Sequence, residues 1–261
     1  MSTGAEAESP GGDVTRPPDA DEIAYLRAAR ERVLVRIAAA AARSGREPGD
    51  VTLVAVSKTV PVERLLAAGP AGLTVLGENR VQEAAAKVPL LPGHRWHLVG
   101  PLQSNKARRA VELFDVIESV DSAELARRLD RIVRELRGLA PAGRVEPSAR
   151  LPVFLQVNVD RDPAKAGLLP EDVAALLGEL EALEALEIRG LMTIGRLVDD
   201  PEQARPTFRA LRRLAEQLRL THPRLGVALS MGMTDDFEVA VEEGATHVRV
   251  GRAIFGERPI A

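Results

Sequence analysis

With 261 residues, 45% of them hydrophobic and 28% charged, the chain has the length and composition of one large globular domain with a buried core. A formal net charge of -3 gives no electrostatic reason to expect nucleic acid or an anionic membrane as a partner. There is no cysteine, which excludes disulfides, thiolate metal sites and thiol nucleophiles.

The first residues, MSTGAEAESPGGDVTRPPDADE, carry neither the basic nor the apolar segment of a secretory signal. No apolar run approaches the roughly 20 residues that a membrane span needs. A cytoplasmic protein is therefore expected. Residues 1–20 are rich in Gly, Pro, Ser and acidic side chains and read as a disordered tail, with the folded unit over 21–261. An amphipathic helix is predicted over Asp21–Arg43, followed by a buried strand at 51–56 (VTLVAV). Further strands are predicted at 73–77, 95–100, 115–119, 152–158, 187–194, 226–231 and 246–250. Helical patterns lie between them, among them Ser122–Leu139, Glu171–Ala185 and Thr207–Leu220. Gly138–Arg150 reads as a loop on its Pro and Gly content, and the alternation continues across it. Eight strands, each followed by a helix, predict an α/β protein. A closed (β/α)₈ TIM barrel is expected, with an open doubly wound sheet as the alternative.

In such a barrel the functional face is at the C-terminal strand ends. Polar residues collect there: Ser57-Lys58-Thr59, Glu78-Asn79-Arg80, Gln103-Ser104-Asn105-Lys106, Asn158, Thr193, Ser230 and Arg249. Lysine occurs only at Lys58, Lys87, Lys106 and Lys165, in a chain that otherwise writes its cations as arginine. A lysine retained in such a chain points to a primary amine, although Lys87 reads as an ordinary helix-surface residue. Lys58 closes a β-branched apolar strand, a setting that disfavours the ammonium and suits a nucleophilic amine able to form a Schiff base. The plainer alternative is a lysine that snorkels to water or pairs with Glu78. Ser230-Met231-Gly232-Met233 and Val250-Gly251-Arg252-Ala253 put small residues between the last two strands and their helices, where barrels often hold phosphate. They could equally be plain turns, with Thr234 as a helix cap.

Other chemistries lack their signatures. The glycines of a P-loop are missing upstream of Lys58, and no H-E-x-x-H occurs. His94 and His97 fall on opposite faces of a strand, so no metal site is expected. The basic run Asn105–Arg109 has no aromatic interleaving that would suggest base stacking. His247, entering the last strand, reads as structural.

Six segments, taken together and in order, resemble the pyridoxal-phosphate homeostasis proteins. They are Val56–Thr59, Gly77–Glu83, Trp96–Lys106, Gly190–Thr193, Ser230–Met233 and Arg249–Gly256. That family has the barrel of alanine racemase without the second, β-rich domain. The resemblance implies pyridoxal 5′-phosphate as cofactor, held as an imine on Lys58. It implies Ser230 and Gly251 at the phosphate with the Arg252 backbone alongside, Arg249 facing the pyridine nitrogen, and Asn79 and His97 lining the pocket. An arginine there leaves the ring nitrogen unprotonated and weakens the ring as an electron sink. One departure stands out: where the family commonly has Thr or Ser, this chain has Arg252. Its guanidinium either points to solvent or adds a charge-assisted contact.

The function implied is intracellular pyridoxal phosphate (vitamin B6) homeostasis without substantial turnover, and no catalytic residue is assigned. Partners implied are the cofactor and the apoenzymes that use it, with no nucleic acid or membrane, for a chain expected to be monomeric. The alternatives are an amino-acid racemase on the same barrel and an interaction scaffold with vestigial cofactor binding.

Overall fold

The structure is a computed structural model that describes residues 18–196 and 198–257. Of the expected tail, residues 1–17 lie outside the described residues. Asp19 already belongs to the fold, its carboxylate accepting the Asp21 N–H at 3.0 Å to cap helix α1 (Ala20–Arg43). In α1, Leu26, Ala29, Val33, Ile37, Ala40 and Ala41 recur at helical spacing and form its buried stripe.

Eight strands follow: β1 (Thr52–Val56), β2 (Val75–Glu78), β3 (Arg95–Leu98), β4 (Val116–Val120), β5 (Leu151–Gln156), β6 (Leu186–Met192), β7 (Ala228–Ser230) and β8 (His247–Val250). Every neighbouring pair is parallel, and β8 returns to β1 with Val54 opposite Arg249, so the sheet closes in sequence order. The closed (β/α)₈ barrel is therefore the fold, and the open doubly wound sheet is excluded. Closure leaves no edge strand with unpaired backbone groups.

The connecting helices are α2 (Val62–Leu65), α3 (Val81–Lys87), α4 (Ala107–Leu113), α5 (Ala123–Leu136), α6 (Val173–Leu180), α7 (Arg205–Arg219), α8 (Phe237–Glu242) and α9 (Arg252–Phe255). Two of them, α5 and α6, are shorter than the patterns at Ser122–Leu139 and Glu171–Ala185 predict, while α7 matches its own. The expected helix over Glu171–Ala185, for instance, becomes a 3₁₀ turn at Pro170–Asp172 and then only α6. The Gly138–Arg150 loop is tied down by Arg134 of α5, whose guanidinium donates to Ala140 O at 2.9 Å and Gly143 O at 3.1 Å.

The main apolar core lies between strands and helices. The barrel interior is different. Val54, Val56 and Val99 form one small apolar cluster, and Val116, Phe154 and Met192 another. Residues in register with these or alternating along the same strands point to the same side. Those residues are His97, Glu118, Ser230, His247 and Arg249, so the barrel axis carries a polar stack. None of the described helices is long and apolar enough to cross a membrane. Among the described residues no group of His, Asp or Glu could hold a metal ion.

Candidate functional site

A cavity of about 470 Å³ opens at the C-terminal ends of the strands, within the roughly 300–1,000 Å³ typical of small-molecule sites. Lys58, Asn79, Arg249, Gly251 and Arg252 line it, so five of the seven expected site residues meet in one place. His97 and Ser230 are not among the lining residues and sit deeper in the barrel axis.

Lys58 is half-buried and stands in a tight turn. The Val60 N–H donates to Ser57 O at 3.0 Å, closing residues 57–60, and Thr59 at the third position has φ 64°. That position of such a turn favours glycine. A β-branched residue there costs about 1–3 kcal/mol and persists only where its surroundings over-determine it. The surroundings do so here. Ser57 is fully buried, and its hydroxyl donates to Glu78 Oε1 at 2.7 Å. Lys87 Nζ donates to the same carboxylate oxygen at 2.8 Å and to Ser57 O at 2.9 Å. The Thr59 N–H reaches Glu83 Oε2 at 3.3 Å.

One expectation is corrected by this cluster. Lys87 is not an exposed helix residue: it is 8% exposed, because the last turn of α3 lies against the barrel and its stem reaches inward. There it pairs with Glu78. Burial pushes the Glu78 carboxyl up, against the hydrogen bonds from Lys87 and Ser57, and its Oε2 is buried without a hydrogen-bond partner.

Below the cavity, Arg249 is held from several sides. Its Nη1 donates to Ser230 Oγ at 2.6 Å and its Nη2 to Thr193 O at 2.7 Å, with Glu118 Oε2 4.0 Å away. Burial lowers the Arg249 pKa, opposed by the carboxylates of Glu118 and Asp236. The Ser230 hydroxyl donates to Glu118 Oε2 at 2.6 Å. A hydroxyl has one proton to give, so in this arrangement Ser230 bridges Arg249 and Glu118.

His97 Nδ1 meets the other oxygen of Glu118 at 2.6 Å, which fixes its ring beneath the cavity. Burial raises the Glu118 carboxyl, but the hydrogen bond and charge of His97, followed by the charge of Arg249, outweigh it and bring the pKa to about 2. Burial pushes His247, 6.0 Å from His97 between ring centroids, down to about 4, so it is neutral near neutral pH. Glu118 was missed by sequence reasoning. Its signal was available: an acid in the middle of the apolar run Val116–Val120, with all five residues buried.

At the rim, the Arg252 guanidinium is neither simply solvated nor turned inward. It pairs with Asp235 and lies 3.6 Å from Glu257. Thr234 lines the cavity, and since α8 begins only at Phe237 it is not the cap of that helix. Asp236 instead accepts the Met233 N–H at 2.6 Å. Two glycines let backbone come close. A Cβ on Gly251 would lie 3.3 Å from Val56 O, and one on Gly100 would lie 2.3 Å from Asn79 O, so Gly100 packs directly on the backbone that carries Asn79.

Comparison with known proteins bears on this arrangement. The family model for the alanine racemase N-terminal domain matches residues 30–259. A pyridoxal phosphate homeostasis protein of Pseudomonas aeruginosa is 41% identical over 233 residues, covering 87% of this chain and 93% of the relative. The protein of the same name from Haemophilus influenzae is 38% identical over 228 residues, covering 85% and 92%. Among solved structures, PipY of Synechococcus elongatus PCC7942 with PLP bound is 44% identical with a TM-score of 0.71, covering 84% of this chain and all of that one. The alanine racemase of Corynebacterium glutamicum, at 19% identity and TM-score 0.65, shares the fold over 92% of this chain but only 62% of its own length. With its barrel built throughout on that pattern, the chain belongs to the alanine racemase N-terminal domain family and, within it, to the pyridoxal phosphate homeostasis proteins.

Proposed function

We propose that this chain binds pyridoxal 5′-phosphate in the strand-end cavity, with the Lys58 amine as its covalent attachment point through a Schiff base. The carrying observation is that Lys58 and Arg249 line one cavity of cofactor size, together with Asn79 and Gly251. The lining chemistry fits the group. Lys58 offers the primary amine that an aldehyde requires. Gly251 leaves room where a side chain would crowd Val56, so the backbone at Gly251 and Arg252 can come close to a phosphate. Support also comes from PipY, solved with PLP bound, and from relatives named for pyridoxal phosphate homeostasis.

When bound, the cofactor supplies an electrophilic aldehyde and an electron-withdrawing ring. Lys58 captures the first, and Arg249 moderates the second. Locked by Ser230 and Thr193 O with Glu118 behind, Arg249 remains a cation that can neither accept a proton nor stabilise one on a neighbouring ring nitrogen. Thr234, Gly251 and Arg252 form the rim suited to the phosphate, His97 supports the floor, and Ser230 anchors Arg249. The assignment favours holding and releasing the cofactor over amino-acid turnover. The protein accordingly serves vitamin B6 homeostasis in the cytoplasm, as a monomer that supplies apoenzymes.

The test is the visible spectrum of the purified protein loaded with pyridoxal phosphate, followed by borohydride reduction and peptide mapping. A bleached band with the label on Lys58, lost in Lys58→Ala, is the expected result. A label on Lys106 or Lys165 with Lys58→Ala still coloured overturns the attachment. Racemisation near the median enzyme rate of about 10 s⁻¹, measured by chiral chromatography, overturns the homeostasis role.

A further inference from the structure

The buried cluster beside Lys58 contains a charge pair that neither cofactor capture nor the fold requires as such. A buried ion pair is weak support for stability, since apolar residues of similar volume serve as well. Lys87 and Glu78 nevertheless spend their hydrogen bonds on one target, the residue before Lys58. Ser57 O receives both the Val60 N–H and the Lys87 ammonium, at 3.0 and 2.9 Å. The Ser57 hydroxyl is tied to the carboxylate that Lys87 also holds. Every polar atom of Ser57 is thereby fixed, its N–H donating to Gly77 O at 2.8 Å. Immediately after Lys58, Thr59 keeps a left-handed φ of 64° that its side chain disfavours. A second residue of α3, Glu83, takes the Thr59 N–H. Thus α3 grips the turn on both sides of Lys58 while contributing nothing to the cavity lining.

We propose that Lys87, acting through Glu78 and Ser57, is a positioning residue for Lys58. The clamp holds the strained 57–60 turn so that the amine is presented to the cavity in one orientation. The proposal rests on the reading that Lys58 captures the cofactor aldehyde. Relaxing the turn releases Lys58 to other rotamers, which slows capture without disturbing the far, anion-binding side of the cavity.

Two variants test it, with capture followed by imine absorbance using pyridoxal, which lacks the phosphate, and with inorganic phosphate binding measured separately. Thr59→Gly removes the strain and carries no folding risk. Glu78→Gln/Lys87→Met removes both buried charges together, so neither is left unpaired. Glu78→Gln/Lys87→Met is expected to capture pyridoxal about tenfold more slowly or worse, the scale of a misplaced reacting group, while phosphate affinity stays within about twofold. Thr59→Gly adopts the left-handed φ without strain and leaves the clamp intact, so it should capture at close to the wild-type rate and melt higher than wild type. Lys87→Arg, which keeps a cation near Glu78, should retain part of the rate that Glu78→Gln/Lys87→Met loses. Capture at the wild-type rate in Glu78→Gln/Lys87→Met overturns the proposal. So does a parallel loss of capture and phosphate binding in that variant, because that marks general loosening of the fold. Failure of the underlying reading looks different: wild-type protein would then carry its borohydride-fixed label on a residue other than Lys58.

Discussion

Glu118→Gln is the most searching perturbation of the barrel axis, because it changes charge while keeping shape. The wild-type carboxylate, fully buried, accepts from Ser230 on one oxygen and meets His97 on the other, with Arg249 4.0 Å away. A glutamine can accept on only one of these atoms and turns an N–H toward the other partner. It also removes the first of the two carboxylates, Glu118 and Asp236, that offset the charge of the buried Arg249. Burial alone would raise this carboxyl, yet its partners hold it near 2, down from 4.5. At 1.36 kcal/mol per pH decade that difference corresponds to about 3 kcal/mol of stability. Because the folded-state value is depressed, the contribution is fully present above the unfolded value of 4.5 and fades as pH falls through 2. The variant should melt about 6–12 °C below wild type near neutral pH, at about 2–4 °C per kcal/mol for a chain of this size. Urea titrations should show the gap shrinking to less than half at about pH 3. A gap of equal size at both pH values would refute the reasoning, since Glu118 would then not be acting as a charged acceptor.

Three further outcomes follow from the charge networks. Arg134→Ala leaves Asp130 buried and unpaired and should cost about 3–5 kcal/mol. It also frees the carbonyls of Ala140 and Gly143, so limited proteolysis should shift into the Gly138–Arg150 loop, and an unchanged cleavage map would contradict the tether. Glu243→Ala removes a carboxylate shared by Arg205, Arg209 and Arg212 at 3.1, 2.9 and 3.2 Å. The arginines are partly exposed, so the loss should be only about 1–2 kcal/mol and should narrow in about 1 M salt; a salt-independent loss would point to packing instead. Arg249→Glu sets a second carboxylate beside Glu118 and should fold poorly, whereas Glu118→Gln/Arg249→Glu should regain stability. The double variant should also exchange a bound amino acid's α-proton faster per bound cofactor, and unchanged exchange would place Arg249 away from the ring.

The fold was legible because its signals are local and repeated. β1 and β5 are apolar on both faces, as strands between a helical layer and a filled barrel must be. The α1 stripe keeps its 3.6-residue period over the whole helix. Helix ends were less legible because tertiary contacts decide them. The Glu171–Ala185 pattern looks continuously helical, yet the chain leaves α6 at Leu180 to reach β6 at Leu186, where Arg224 donates to the carbonyls of Leu180, Leu183 and Leu186. Nothing within that segment signals the anchor, which lies on the far side of α7.

The site divides along the same physical line. Lys58, Asn79, Gly251 and Arg252 sit at strand ends, where chain order alone brings residues to one face of a barrel, and all four line the cavity. Ser230, His97 and Lys87 depend on which partner each side chain meets, and spacing carries no information about that. Ser230 stands at a strand end as Lys58 does. The difference is that its hydroxyl donates to an inward-pointing acid on β4, 112 residues earlier in the chain. Lys87 has the helix-surface spacing of any solvated lysine, and only the burial of Glu78 beside Ser57 makes an inward course favourable for it. Charged residues inside apolar strands are therefore the feature to weigh first in such a chain. Burying Glu118 unpaired would be prohibitive, so its presence in the middle of β4 already requires donors across the barrel. The inward residues His97 of β3 and Ser230 of β7 supply them, and Arg249 of β8 adds a cation 4.0 Å away.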